Sequence, residues 1–324
     1  MSDLDVAISQ FPISSWCSMR MKTYDDGGGT DFYADCPICN GRRKLGISRI
    51  TKVFHCFKCM EGGHGGDLWT GAASLPRMIR VLEGCSWRQA FKMIYELAGL
   101  PEPAPRKRKP GPRGLPKDAI PLSDCQDDER AVVMLRERHC GHLRDSSHLC
   151  IGGRFNERII LPTYFLGEET GFEAKATSKS QSPPSLFPEW LETDETVYTI
   201  RSWDASRPKF AALTESVLDC ETFHGICNAV GLYGKFKEGQ VTSLLDLDLT
   251  DLYWFLDGDA WTSVLRGIKK TRSLFRSFVV PMPTDEDPNS IGPQGCRDLL
   301  EKAREIKTDW DVMECAVAWG KPLK

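Results

Sequence analysis

The chain has 324 residues, 41% of them hydrophobic, and a net charge of −3. That length accommodates two or three domains of ordinary size, and apolar runs such as Phe278-Val279-Val280 fall far short of the roughly 20 residues that span a bilayer, which argues against a membrane role. Thirteen cysteines follow an opening, Met1-Ser-Asp-Leu-Asp, that lacks the basic and apolar character of an export signal. The expectation is a reducing compartment in which thiols such as Cys85, Cys125, Cys220 and Cys315 stay free, with no disulfide framework.

Charge is sorted by position. Arg106-Lys107-Arg108-Lys109 is basic, whereas Asp246 to Asp259 and Asp285-Glu286-Asp287 are acidic. Basic runs are the footprint of polyanion contact, and packed carboxylates repel unless cations hold them, so the two together point to nucleic acid and divalent metal. A basic run is also commonly just a solvated face.

Cys36-Pro-Ile-Cys39 and Cys56-Phe-Lys-Cys59 are separated by sixteen residues. Two such knuckles are the spacing of a tetrahedral zinc ribbon, and four thiolates close the shell, so this zinc folds a surface and performs no chemistry. Around them Lys44 to Arg49 and Lys52 to Phe57 alternate with period two as ribbon strands. Gly62 to Asp67 breaks the pattern. Leu75, Met78, Ile79 and Leu82 then recur at helical spacing, and a second helix begins at the cap Ser86 with a stripe of Trp87, Ala90, Phe91, Ile94, Leu97 and Ala98 that stops at Gly99.

Prolines, glycines and cations make residues 101–123 a semi-extended basic linker. Beyond it the sequence predicts a helix over Asp127 to Arg138, a hairpin from Arg158-Ile-Ile-Leu-Pro-Thr-Tyr-Phe and Gly171-Phe-Glu-Ala-Lys-Ala-Thr, and a loop over Ser178 to Pro188. From Lys209 strands and helices alternate: Lys209 to Thr214, Val217 to His224, Asn228 to Leu232, Asp251 to Leu256, Trp261 to Phe275, Ser277 to Pro281. That alternation means a parallel sheet wrapped by helices. In such sheets functional groups collect beyond the carboxyl ends of the strands. Glu215, Asp257 with Asp259, and Asp285 with Asp287 stand there, as oxygen ligands for hard cations such as Mg2+ that neutralise phosphate charge. Each acid alone is equally a solvated loop residue or a helix cap.

Thr214-Glu215-Ser-Val-Leu-Asp219, Phe255-Leu-Asp257-Gly-Asp259 and Asp287-Pro-Asn resemble the TOPRIM domain of primases and topoisomerases. Cys36 to Cys59, Gly65-Gly-Asp-Leu, and Ser86-Trp-Arg-Gln-Ala-Phe to Leu97-Ala-Gly-Leu-Pro resemble the zinc-binding domain of bacterial and bacteriophage DNA primases. Arg158 to Thr163 with Gly171 to Lys175 is similar to the basic subdomain that precedes TOPRIM in those enzymes. The resemblance covers roughly Phe32 to Gly99 and Arg154 to Leu300. It implies an α/β multidomain chain: a β zinc ribbon with helices (1–100) for template recognition, the linker (101–123), an α+β basic subdomain (124–208), and a parallel α/β TOPRIM catalytic domain with C-terminal helices (209–324).

Carried over, the resemblance implies Glu215, Asp257, Asp259, Asp219 and Asp287 as catalytic acids, with Asp257, Asp259 and Asp287 on Mg2+ or Mn2+ and Cys36, Cys39, Cys56 and Cys59 on zinc. Arg154, Arg158, Lys175 and Lys179 are candidates for nucleotide phosphates or template backbone. On the ribbon, Arg42, Arg43, Lys44, Lys52, Phe54, His55 and Lys58 offer cations and aromatic faces to a single strand. The chain departs from the family at Ser216, where Gly is usual, at Asn289, where many members carry Asp, and in having four cysteines where most bacterial members include one His. His64 is a substitute ligand only as the lesser reading, beside a turn residue or a nucleic-acid contact.

The implied activity is synthesis of short RNA primers on single-stranded DNA from ribonucleoside triphosphates. The alternative is a non-catalytic zinc-ribbon/TOPRIM DNA-binding adaptor of recombination or replication, whereas a topoisomerase requires a longer chain and a tyrosine nucleophile. No Gly-x-x-x-x-Gly-Lys-Ser/Thr occurs, so a separate replicative helicase is the expected partner. The resemblance favours a bacteriophage or mobile-element origin and the cytoplasm of a bacterium or infected host. A last helix near Trp310 to Trp319 either docks a helicase or covers the sheet, the second being the expectation.

Overall fold

Alternate positions of the N-terminal strands are apolar, and they fold with one buried face in the computed structural model, which describes residues 3–25, 28–62, 69, 72–103 and 114–320. The chain divides into two compact units, Met1–Lys107 and Arg108–Lys324. Arg106 to Lys109, His64 and the Gly63 to Asp67 part of the predicted break lie outside the described residues.

The first unit opens with α1 (Asp3–Gln10) and α2 (Ile13–Ser18), followed by β1 (Thr23–Tyr24), β2 (Asp31–Ala34), β3 (Leu45–Ser48), β4 (Val53–Cys56), α3 (Phe57–Gly62), β5 (Ala72–Ser74), α4 (Leu75–Glu83) and α5 (Trp87–Leu97). Its five strands pair antiparallel in sequence order. Phe32, Ala34, Leu45, Ile47 and Phe54 are buried in one core with Phe11 and Trp16 of the helical start and Met78, Ile79, Ala90 and Ile94 of the closing helices. The cap of α5 is reciprocal: Ser86 Oγ accepts from Gln89 N, and Ser86 N donates to Gln89 Oε1. Gly99, at φ +70°, ends the helix in a conformation only glycine takes without cost.

The second unit contains β6 (Ala119–Pro121), α6 (Arg130–Glu137), β7 (His148–Cys150), β8 (Arg158–Phe165), β9 (Glu168–Ala176), β10 (Ser185–Leu186) and β11 (Tyr198–Thr199). It continues with β12 (Phe210–Thr214), α7 (Val217–Glu221), β13 (Ala229–Gly231), α8 (Val241–Asp246), β14 (Asp251–Trp254), α9 (Trp261–Thr271), β15 (Arg276–Val279), α10 (Pro288–Glu301), β16 (Arg304–Ile306) and α11 (Asp309–Ala318). All these strands form one sheet in the order β10-β9-β8-β11-β13-β12-β14-β15-β16, with β7 on β8 and β6 on β7. The run β13-β12-β14-β15 is parallel, as the strand and helix alternation requires, and the flanks are antiparallel.

Two expectations change. The linker is shorter than predicted, because Ala119–Pro121 pairs with β7 and Leu122 is fully buried. No break in the sheet falls at residue 208, since β11 pairs with both β8 and β13. The last helix packs against β16 of the sheet as expected, burying Cys315 and Ala316, while Trp310, Met313 and Val317 stay exposed.

Candidate active site and metal centre

In the first unit the β2–β3 turn and the β4–α3 junction bring the four cysteine sulfurs within 4.8 Å of one another. Cys36 Sγ lies 3.7 Å from Cys59 Sγ, and Cys39 Sγ lies 3.6 Å from Cys56 Sγ. Tetrahedral ligands at a Zn–S distance of about 2.3 Å stand about 3.8 Å apart, so the sulfurs already have the spacing of a zinc shell. Burial pushes the Cys36 and Cys56 thiols up to about 11. Four thiolates share that space only around a cation.

The other sheet face carries an aromatic row. Tyr24 pairs with Tyr33, Tyr33 with Gly46, and Gly46 with His55 across β1 to β4, while Tyr33 is 46% and Phe57 60% exposed. The Arg43 guanidinium sits 4.2 Å from the centre of the Tyr24 ring. Arg42, Arg43, Lys44, His55 and Lys58 are exposed. Phe54 is a correction: it is fully buried and its ring meets Trp16 edge-on at 6.4 Å, because the strand period turns it inward when His55 turns out. Lys52 is also largely buried, at a left-handed turn with φ +55°, and burial lowers its pKa. Tyr33 and Phe57 were missed, since which strand face is solvated depends on helices far away in sequence.

In the second unit the acids come from the carboxyl ends of three neighbouring parallel strands: Glu215 follows β12, Asp257 and Asp259 follow β14, and Asp287 follows β15. Gly258 draws the last two loops together. Its N–H bonds the Glu286 carbonyl at 2.9 Å, and a Cβ there would stand 1.8 Å from the Pro283 carbonyl oxygen. Glu215 Oε1 and Asp257 Oδ1 are buried without a hydrogen-bond partner. Desolvation, then Asp219, raise the Glu215 pKa. Desolvation, then Glu215, Asp287 and Asp259, push Asp257 up to about 7. Orphaned, mutually repelling carboxylate oxygens are the donor set that a hard divalent cation takes. Among the described residues no three of these acids have ligand oxygens all within 4.8 Å of one another.

Asp219 is nearly fully buried on α7, bonded to Ser216 Oγ, and desolvation pushes it up to about 7. Ser216, the departure from Gly, caps α7: its Oγ accepts from Asp219 N at 3.3 Å. Asp287 caps α10 by accepting from Ser290 N at 2.6 Å and also faces Arg138 Nη1 at 3.4 Å. Asn289 is 1% exposed and donates to Thr222 Oγ1 at 2.9 Å and to the Arg138 carbonyl, so it ties elements together instead of joining the acids.

Of the predicted cations, Lys175 lies close enough for its charge to lower the pKa of Asp257 and Asp219, although it contacts neither. It is held by Ser185 Oγ at 3.2 Å and by Glu173. Arg158 is a correction. It is 4% exposed and donates to the Ala174, Pro183 and Pro184 carbonyls, since β8 places it inside the hairpin. Arg154 pairs with Glu189 at 2.8 Å, and Lys179 is exposed. Two further residues escaped the sequence reading. Lys235, after β13, lowers the Glu215 pKa by its charge. Glu173, 1% exposed, accepts from Val217 N at 2.9 Å and so fixes the chain next to Glu215.

Fold and site thus define a mixed α/β chain with a four-cysteine zinc module and a second unit bearing carboxylates along one end of a parallel sheet. No family model matches the chain, and no curated protein matches it. Among solved structures it is similar to the zinc-binding and RNA polymerase domains of the Aquifex aeolicus primase, at 16% identity and a TM-score of 0.43, over 98% of this chain and 90% of that one.

Proposed function

We propose that the chain is a DNA primase of the TOPRIM class that joins ribonucleoside triphosphates into short RNA primers on a single-stranded DNA template. The observation that carries this reading is the convergence of Glu215, Asp257 and Asp287 from adjacent parallel strands, with two carboxylate oxygens buried and unpartnered. Glu215, Asp257 and Asp259 would hold Mg2+ or Mn2+, which when bound supplies charge neutralisation at the reacting phosphates. Lys175 and Lys235 flank the acids and would bind the triphosphate, orienting it for attack by a 3′ hydroxyl. Asp219 acts through Ser216, holding the start of α7 and with it the Glu215 loop.

Template binding falls to the first unit. Tyr33, His55 and Phe57 offer stacking faces worth about 1–3 kcal/mol per base, and Arg42, Arg43, Lys44 and Lys58 track phosphates. A separate helicase partner and a bacterial or bacteriophage setting belong to the same reading. Labelled ribonucleotide incorporation on mixed-sequence single-stranded DNA with Mg2+ tests it: short RNA is expected from wild type and none from Asp257→Ala, with template binding unchanged. Template binding without product from the zinc-loaded wild type, across many templates and with a helicase added, would mark a DNA-binding adaptor instead.

A further inference from the structure

Outside the carboxylate site the second unit carries a cluster that the proposed function does not use. Glu221 closes α7, His224 lies in the turn beyond it, and His142 comes from the 3-10 turn Gly141–Ser146. One ligand atom from each lies within 4.8 Å of the others. His142 Nε2 is 3.1 Å from Glu221 Oε2, and the two imidazole rings stack at 4.3 Å with 21° between their planes. Glu221 is 4% exposed, while both histidines open to solvent. Its other oxygen, Oε1, accepts from Arg201 N at 2.9 Å, which fixes the carboxylate and leaves Oε2 to face the imidazoles.

From these contacts we infer that His142, Glu221 and His224 form a second metal site, specific for a divalent transition ion of the Zn2+ class. Two imidazoles and one carboxylate are a borderline donor set that favours Zn2+ over the oxygen-seeking Mg2+. Three protein ligands leave a fourth tetrahedral position for water. Glu221 and His224 stand at the two ends of the turn that closes α7, where His224 N donates to the Glu221 carbonyl at 3.0 Å and holds the two side chains close together. The Arg201 N–H supplies the outer hydrogen bond that holds a ligating carboxylate in place. Arg207, whose charge is felt at His224, faces Asp204 at 4.0 Å. An ion here ties the turn after α6 to the end of α7, whose opposite end is capped by Ser216.

The test is zinc content per chain, by inductively coupled plasma mass spectrometry after dialysis of the full chain against Zn2+ and then metal-free buffer. The wild type is expected to retain one ion more than the double variant His142→Gln/His224→Gln, with circular dichroism confirming that the variant is folded. Equal zinc content in the two folded proteins would overturn the site and leave a hydrogen-bonded imidazole stack. Cobalt titration of the wild type alone gives an independent reading should the variant misfold. Binding at the four cysteines produces thiolate charge-transfer bands, and the second site should then add weaker d–d absorption without them. A titration that ends when the thiolate bands saturate would sink the proposal.

Discussion

Asn289 stands where the resembled family often carries a carboxylate, yet its amide does what a carboxylate cannot. Its nitrogen donates to the Arg138 carbonyl and to Thr222 Oγ1, and its oxygen accepts from Arg138 Nη1 at 3.3 Å. Asn289→Asp replaces that donor by an acceptor at a site 1% exposed and leaves two acceptors unpaired. The variant should lose about 1–3 kcal/mol in urea unfolding with the denaturant slope unchanged, and it should gain no Mg2+-dependent activity. A wild-type midpoint would show that pairing of the carboxylate with Arg138 offsets the lost donor, and only a midpoint that rises with added Mg2+ would place position 289 in the acidic site. Asp257 makes the complementary case. Burial and its acidic neighbours raise its folded pKa from 3.8 to about 7. Its contribution to stability is therefore fully present below about pH 4 and is lost as the pH rises through about 7. In zinc-loaded protein without Mg2+, the stability difference between wild type and Asp257→Asn should shift against the wild type across that window. Adding Mg2+ at pH 8 should raise the wild-type melting temperature and leave the variant's unmoved. Parallel pH profiles for the two proteins would remove the electrostatic argument for a cation.

At the scale of elements the site depends on loops held in contact by backbone. The turn after β14 meets the turn after β15 at Gly258, where a methyl group would enter the Pro283 carbonyl. Gly258→Ala should push the Asp257 loop away from Asp287, and under the proposed function it should abolish primer synthesis while DNA binding by the first unit persists. Unchanged synthesis would show that the two loops need not meet. The acids themselves were legible because alternation from Lys209 onward fixes a parallel sheet, and the carboxyl ends of its strands are readable from one dimension. Lys235 and Glu173 were not, for a physical reason. Lys235 reaches Glu215 only because β13 lies beside β12, and Glu173 reaches Val217 across 44 residues of sequence. Ordering in a sheet is set by packing and crossover geometry, which local periodicity does not encode. Phe54 and Arg158 show the same gap in reverse. A period-two pattern says that neighbours face opposite ways, but not which face meets the core.

The whole molecule consists of two units with separate cores, and they are stabilised by different means. The second buries Phe223, Phe255, Ala212, Ala229, Tyr198 and Ile200 around its sheet. Its stability is that of an ordinary apolar core. The first has short strands and six-residue helices at α2 and α3, and its cysteines sit inside the core with Phe32, Leu45 and Phe54. Four sulfurs within 4.8 Å of one another do not ionise together without a cation, so zinc binding and folding of this unit are coupled, as in zinc-finger peptides where about 10–16 kcal/mol of binding free energy is expressed as folding. The helices α1 and α2 seal that core through Phe11 and Trp16, although too few apolar residues mark them in sequence for periodicity to reveal them. Strong chelation should therefore unfold the first unit and leave the second with its sheet. Circular dichroism would show partial loss of structure and calorimetry one surviving transition, and under the proposed function single-stranded DNA binding would vanish. Restoring Zn2+ should recover both signals. Retention of DNA binding by the chelated protein would move the template recognition proposed for the aromatic row of Tyr33 and His55 to the second unit, where Lys175 and Lys235 present positive charge beside the acids.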